Sequence, residues 1–202
     1  MGVNGRISKL LAVALALAPV MPAVAQFSDG YNFIKAVRDG DGAKTMEYLN
    51  KPGNPAINAR DPSTGEGVLH IVAKRHDQTW LNFMLSKGAD PNARDRDGNT
   101  PLMAATQLGD GDAVRVLLEN AAKPNIANSR GETPLIAAVQ QRNYPIMRLL
   151  MSAGANPELA DTIAGKSARD YASEDRRGGA ATLRIMDEAK ATPKKAVAGP
   201  VR

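Results

Sequence analysis

The chain contains no cysteine. Disulfides, zinc–thiolate sites, thiol catalysis and a lipid-modified N-terminal cysteine are thereby excluded, and stability has to come from packing alone. Aromatic residues make up only 4% of the 202 residues, with a single Trp. A core so poor in rings is built from Leu, Ile, Val, Met and Ala. Such side chains suit closely approaching helices better than a sandwich or a barrel. The hydrophobic share of 43% is enough for one domain of ordinary size.

A one-sided charge is also missing from the body of the chain. The formal net charge is +5 and the pI about 9.6. Six of the 26 basic residues (Arg6, Lys9, Lys190, Lys194, Lys195 and Arg202) lie at the two ends, which leaves 20 against 21 acidic residues between them. A near-neutral body argues against a nucleic-acid partner, which calls for basic charge gathered on one face.

The first 25 residues read as a signal peptide. A short polar start carries Arg6 and Lys9, residues 10–24 are apolar (LLAVALALAPVMPAV), and Ala23-Val24-Ala25 supplies the small-x-small pattern of a cleavage site. Cleavage is expected between Ala25 and Gln26. The competing reading, an uncleaved anchor, needs about 20 apolar residues; this run is shorter and holds Pro19 and Pro22. No twin-arginine pair is present, so the general secretory route is expected.

An internal repeat of 33 residues organises the rest. GNTPLMAA at 98–105 matches GETPLIAA at 131–138, and GEGVLHIV at 65–72 falls on the same offset. FMLSKGADPN at 83–92 aligns with VLLENAAKPN at 116–125 and LLMSAGANPE at 149–158. Thr100-Pro101 and Thr133-Pro134 are helix starts, since Pro at the first helical position loses no hydrogen bond and Thr caps the free N–H groups. Val114, Leu117 and Leu118, like Ile146, Leu149 and Leu150, form a stripe at helical spacing. Gly88 and Gly154 stand where those helices must end. Trp80 aligns with Ala113 and Ile146 and is assigned to the core.

These residues resemble the ankyrin repeat, whose pattern is G-x-T-P-L-H-x-A-A, then a second helix ending in L-L-x-x-G-A-D/N, then a hairpin. His70 occupies the family's His once; Met103 and Ile136 replace it elsewhere, and Ala121-Ala122-Lys123 is a weaker version of the second motif. The resemblance implies an all-α solenoid of stacked helix-turn-helix units with β-hairpin loops over residues 26–190. An N-terminal cap unit is expected at about 31–60, central repeats at about 61–94, 95–127 and 128–160, and a C-terminal cap at about 161–190 with one extra residue. Residues 191–202 are basic, hold two prolines and show no stripe, so they read as a disordered tail.

Residues suited to chemistry find structural explanations. His70 and His76 could share a metal only with carboxylate help such as Asp77, and no convergent ligand set is legible. In the family His70's position braces the junction between hairpin and helix. Asp95–Asp97, Asp110–Asp112 and Asp39–Asp41 fall where Asp is favoured for turns and caps. Phosphate-cradling loops and GxSxG elbows are absent. No catalytic residue, cofactor or metal is expected.

Ankyrin arrays bind through hairpin tips and the exposed side of the first helices. Carried over position by position, that face comprises Ser63, Thr64, Glu66, Lys74 and Arg75. The next unit adds Arg94, Arg96, Asp97, Asn99, Gln107 and Leu108, and the third Ser129, Arg130, Glu132, Gln140 and Gln141. Arginines are frequent anchors in interfaces, so Arg75, Arg94, Arg96 and Arg130 lead the set. The expectation is a non-catalytic, monomeric adaptor or stabiliser of another exported protein, resident in the periplasm or secreted, with neither nucleic acid nor membrane as partner. The competing reading is an inhibitor or immunity-type protein that blocks a toxin or hydrolase in the same compartment.

Overall fold

A computed structural model describes residues 23–51 and 56–191. The expected signal peptide up to residue 22 and the tail beyond Ala191 lie outside the described residues. Ten helices are described, in five pairs: α1 Ala23–Asp39 with α2 Gly42–Leu49, α3 Val68–Lys74 with α4 Gln78–Ser86, α5 Pro101–Gln107 with α6 Gly111–Glu119, α7 Pro134–Gln140 with α8 Tyr144–Ser152, and α9 Ala168–Glu174 with α10 Gly179–Ala191. A single 3-10 turn, Ala56–Asn58, follows the first pair. Helix α1 reaches back to Ala23, further than the short helix expected around Phe33–Val37.

Each helix has a local cause. Thr100 and Thr133 accept hydrogen bonds from the N–H groups of Met103 and Ile136, with Pro at the next position. The second helices start on Asp41, Asp77, Asp110 and Asn143, each accepting from the N–H three residues on. At α3 the cap position is Gly67, which has no hydroxyl. His70 compensates: its Nδ1 accepts the Gly67 N–H at 3.2 Å, and its Nε2 reaches the Asn99 carbonyl at 3.0 Å in the next unit. With Nδ1 accepting, Nε2 is the donor. Burial pushes the imidazole below its ordinary pKa of 6.5, so the ring is held neutral.

Stacking runs from neighbour to neighbour. First helices pack in the row α1, α3, α5, α7, α9, and second helices in the row α4, α6, α8, α10. Leu69, Leu102 and Leu135 recur in the first row, and Met84, Leu117 and Leu150 in the second; all six are buried. Trp80 packs edge-on to Phe83 and against Gly42 of the first pair, partly buried where Ala113 and Ile146 are fully so. Leu118 and Leu149, expected in the stripe, are only half-buried against it. Each unit covers its neighbour's apolar side, which is why one unit cannot stand alone.

A polar seam joins the units behind the second helices. Asn58, Asn92 and Asn125 each reach into the following unit. Their amide nitrogens donate to the carbonyls of Gly88, Ala121 and Gly154, and their oxygens accept the N–H groups of Asp90, Lys123 and Asn156. The next position in this series is Glu158, whose carboxylate instead takes the Arg169 Nε at 2.9 Å. The ladder stops there, at the final unit.

The helix ends on this seam adopt positive φ: +85° at Gly88, +64° at Ala121 and +89° at Gly154. A left-handed conformation costs a residue with a Cβ about 1–2 kcal/mol, and glycine gives part of that back as lost entropy. Ala121→Gly should therefore stabilise the protein by about 0.5–1 kcal/mol, read as a higher melting temperature. A lower one would contradict the strain.

Candidate partner-binding face

The four hairpins between helix pairs are tight turns organised by one side chain each. Asp61 accepts the N–H groups of Ser63 and Thr64, Asp95 that of Asn99, Asn128 those of Arg130 and Glu132, and Asp161 those of Ile163, Ala164 and Gly165. Among the described residues the first and last of them hold isolated bridges in place of strands, Arg60 with Gly67 and Ala160 with Ser167. The extra residue expected in the last unit lies in its hairpin, which closes from Asp161 N–H to the Lys166 carbonyl; the first hairpin, Asp61 to Glu66, is equally long.

Successive tips are tied by the backbone. Arg96 N–H donates to the Thr64 carbonyl, Ser129 N–H to that of Asp97, and Thr162 N–H to that of Arg130, at 2.8–2.9 Å. These rungs explain the glycine period. Gly65, Gly98 and Gly131 have φ between +74° and +77°, and a Cβ on each would lie 2.6–2.8 Å from the nitrogen of Arg96, Ser129 or Thr162. Only a residue without a side chain lets the tips approach this closely. The result is one continuous ridge beside the ends of the first helices.

The structure divides the sequence-derived residues into two groups. Arg94, Asp97, Gln107 and Gln140 are exposed. Arg75, Arg96, Arg130 and Gln141 are exposed too, but these four, like Asn99, Glu132 and Glu66, also make contacts within the fold. Arg75 turns back to the Val37 carbonyl at 2.7 Å, with Asp77 at 3.7 Å. Arg96 donates to the Pro62 carbonyl. Asn99 takes hydrogen bonds from His70 and Asn128. Arg130 pairs with Glu132 at 2.9 Å, Glu132 also holds Asn128, and Gln141 donates to the Gln107 carbonyl. Glu66 is 8% exposed and lies between Lys74 and Arg38, so it belongs to the packing between the first two units. Beside it Asp61 is held well below the usual carboxylate range, first by the Ser63 hydroxyl, then by Arg38 and two N–H groups, against the opposing effect of burial.

Two exposed side chains lie outside the face expected from the three central units. Ile163 is 75% exposed at the last tip, one period beyond Arg130. Arg60 is exposed and donates to the Arg94 carbonyl. The 33-residue offset, continued into the final cap, points to Ile163. Leu108, 45% exposed at the end of α5, is another exposed large apolar group.

The acidic pairs act locally. Asp110 caps α6 and meets His76 Nδ1 at 2.8 Å, while Asp112 pairs with Arg115 one turn on. Among the described residues no three His, Asp or Glu side chains converge as metal ligands, and no helix is long and apolar enough to cross a membrane.

A row of helix pairs with nearest-neighbour contacts defines a helical repeat solenoid. Comparison with known proteins names the repeat: a family profile described as ankyrin repeats (3 copies) matches residues 33–128 and 69–161. The chain belongs to the ankyrin-repeat family. It is similar to oxysterol-binding protein homolog 1 of Saccharomyces cerevisiae, 34% identical over 40% of this chain and 7% of that protein. It is likewise 34% identical to the 2-5A-dependent ribonuclease of Mus musculus, over 38% of the chain and 10% of the enzyme. Putative ankyrin repeat protein FPV230 of Fowlpox virus is 34% identical over 37% of the chain and 40% of its own length. The chain thus spans a tenth or less of the first two relatives.

Proposed function

We propose that the chain is a non-catalytic adaptor or stabiliser of another exported protein, acting as a monomer through the ridge of hairpin tips and the adjoining helix ends. Ankyrin repeats are protein-interaction modules. The observation that carries the reading is the backbone-locked ridge, a preformed surface that loses little freedom on binding. Extended surfaces of this kind are how solenoids hold other chains.

Export is supported by the N-terminal pattern of charge, apolar run and Ala23-Val24-Ala25, with the periplasm or the outside as destination. Intact-mass measurement of the protein after expression in a secreting bacterium should give a chain starting at Gln26. A chain retaining its first 25 residues would reject export by cleavage.

Charge reversal at Arg94 and Arg96 together should abolish capture of the partner from an extract of the native host. The melting temperature should hardly move, since exposed substitutions usually stay within about 0.5 kcal/mol. Undiminished capture would place binding elsewhere on the molecule. Assay of the captured protein with and without this chain then separates a stabiliser from a blocking, immunity-type protein.

A further inference from the structure

The ridge changes character along its length. Around the first two tips lie three guanidinium groups. Arg60 donates to the Arg94 carbonyl and Arg96 to the Pro62 carbonyl. The Arg94 guanidinium lies beside Gly98 and Ser129, since a Cβ on Gly98 would meet its Nη2 at 2.7 Å and Ser129 Oγ at 2.8 Å. None of the three enters an ion pair among the described residues, whereas Lys74, Arg130 and Lys166 each meet a carboxylate. Two of the carboxylates nearby are engaged, Asp61 by Arg38 and its own turn and Asp95 by Asn99. Asp97, one step past Arg96, is exposed and marks the end of the cationic stretch. Further along, the Arg130–Glu132 pair is neutral, and the last tip presents Ile163 beside exposed Ala164.

A guanidinium that meets only a carbonyl keeps its charge and several donors, and a carboxylate is the group its planar fork fits best. Nucleic acid and anionic membranes need cations along the whole contact, which the neutral, apolar second half does not supply. We infer that the ridge receives an extended acidic segment of the partner protein. Its carboxylates lie against Arg60, Arg94 and Arg96, and an aliphatic or aromatic side chain follows at Ile163. This rests on the ridge being the docking face and adds what the partner must carry.

The partner need not be identified for the test. Random dodecamer peptides displayed on phage are selected on the full chain, and the enriched peptides are synthesised. Asp and Glu at one end and an aliphatic or aromatic residue toward the other are expected. The triple variant Arg60→Glu/Arg94→Glu/Arg96→Glu should weaken these peptides at least tenfold. Ile163→Asp should weaken them severalfold, while peptides selected on that variant remain acidic. Circular dichroism melts confirm that the variants fold. Neutral or basic peptides that Arg130→Glu or Ile163→Asp disrupts would overturn the acidic partner yet keep the ridge as docking face. Peptides indifferent to every ridge substitution, or no enrichment, would sink both. Binding of phosphatidylglycerol vesicles or duplex DNA in place of peptides would also overturn the inference.

Discussion

Gly98→Ala should destabilise the protein by about 1.5–4 kcal/mol, combining the net left-handed backbone penalty with the cost of overpacking. The added methyl would sit 2.8 Å from the Ser129 nitrogen, a backbone atom that cannot swing aside. Relief requires the third hairpin to move off the second, which breaks the bond from Ser129 N–H to the Asp97 carbonyl. The matched control is Gly88→Ala. Gly88 has a similar φ of +85°, but its Cβ would meet nothing within 4 Å, so this change carries only the net backbone penalty of about 0.5–1 kcal/mol. Chemical denaturation of the two variants separates contact from strain. Equal losses would mean that the rungs between tips contribute nothing.

Leu102→Ala and Leu135→Ala should each lower stability by about 2–5 kcal/mol, the range for fully buried leucines. Both side chains are 0% exposed. Typical domains hold only about 5–15 kcal/mol in all. The linear architecture adds a second expectation. A weak unit in the middle of a nearest-neighbour array lets its two sides unfold separately. Trp80, the one Trp, lies in α4, two units before Leu135. For Leu135→Ala, far-ultraviolet dichroism should therefore begin to fall at lower denaturant than Trp80 fluorescence. Coincident curves with an unmoved midpoint would be incompatible with this stacking.

Most of the helical plan could be read from residue order because its signals are local. Thr-Pro starts, Asp caps and apolar residues at helical spacing act within one turn, and the structure finds them where the pattern put them. His70 also matched its expected brace, although its second bond, to the Asn99 carbonyl, lies one unit away. The asparagine seam was less visible: Asn92 and Asn125 follow the recurring prolines, but nothing in the string says that their amides bridge to the next turn.

The candidate face was legible in outline only. Arg75 and Glu66 were assigned to the face by their place in the repeat, yet their partners are Val37 in one case and Lys74 and Arg38 in the other. Ile163 sits in the final cap, where the motif has decayed and a shared offset is the one remaining signal.

Residue order alone established a repeating array with small and bulky apolar groups at set places, since each repeat carries its own helix signals. Folding was needed to settle which charges remain free. Arg38 reaches Asp61 across 23 positions and Arg142 reaches Asp175 across 33. Such pairings form only when one unit is laid against the next, and their range exceeds any pattern confined to a single helix.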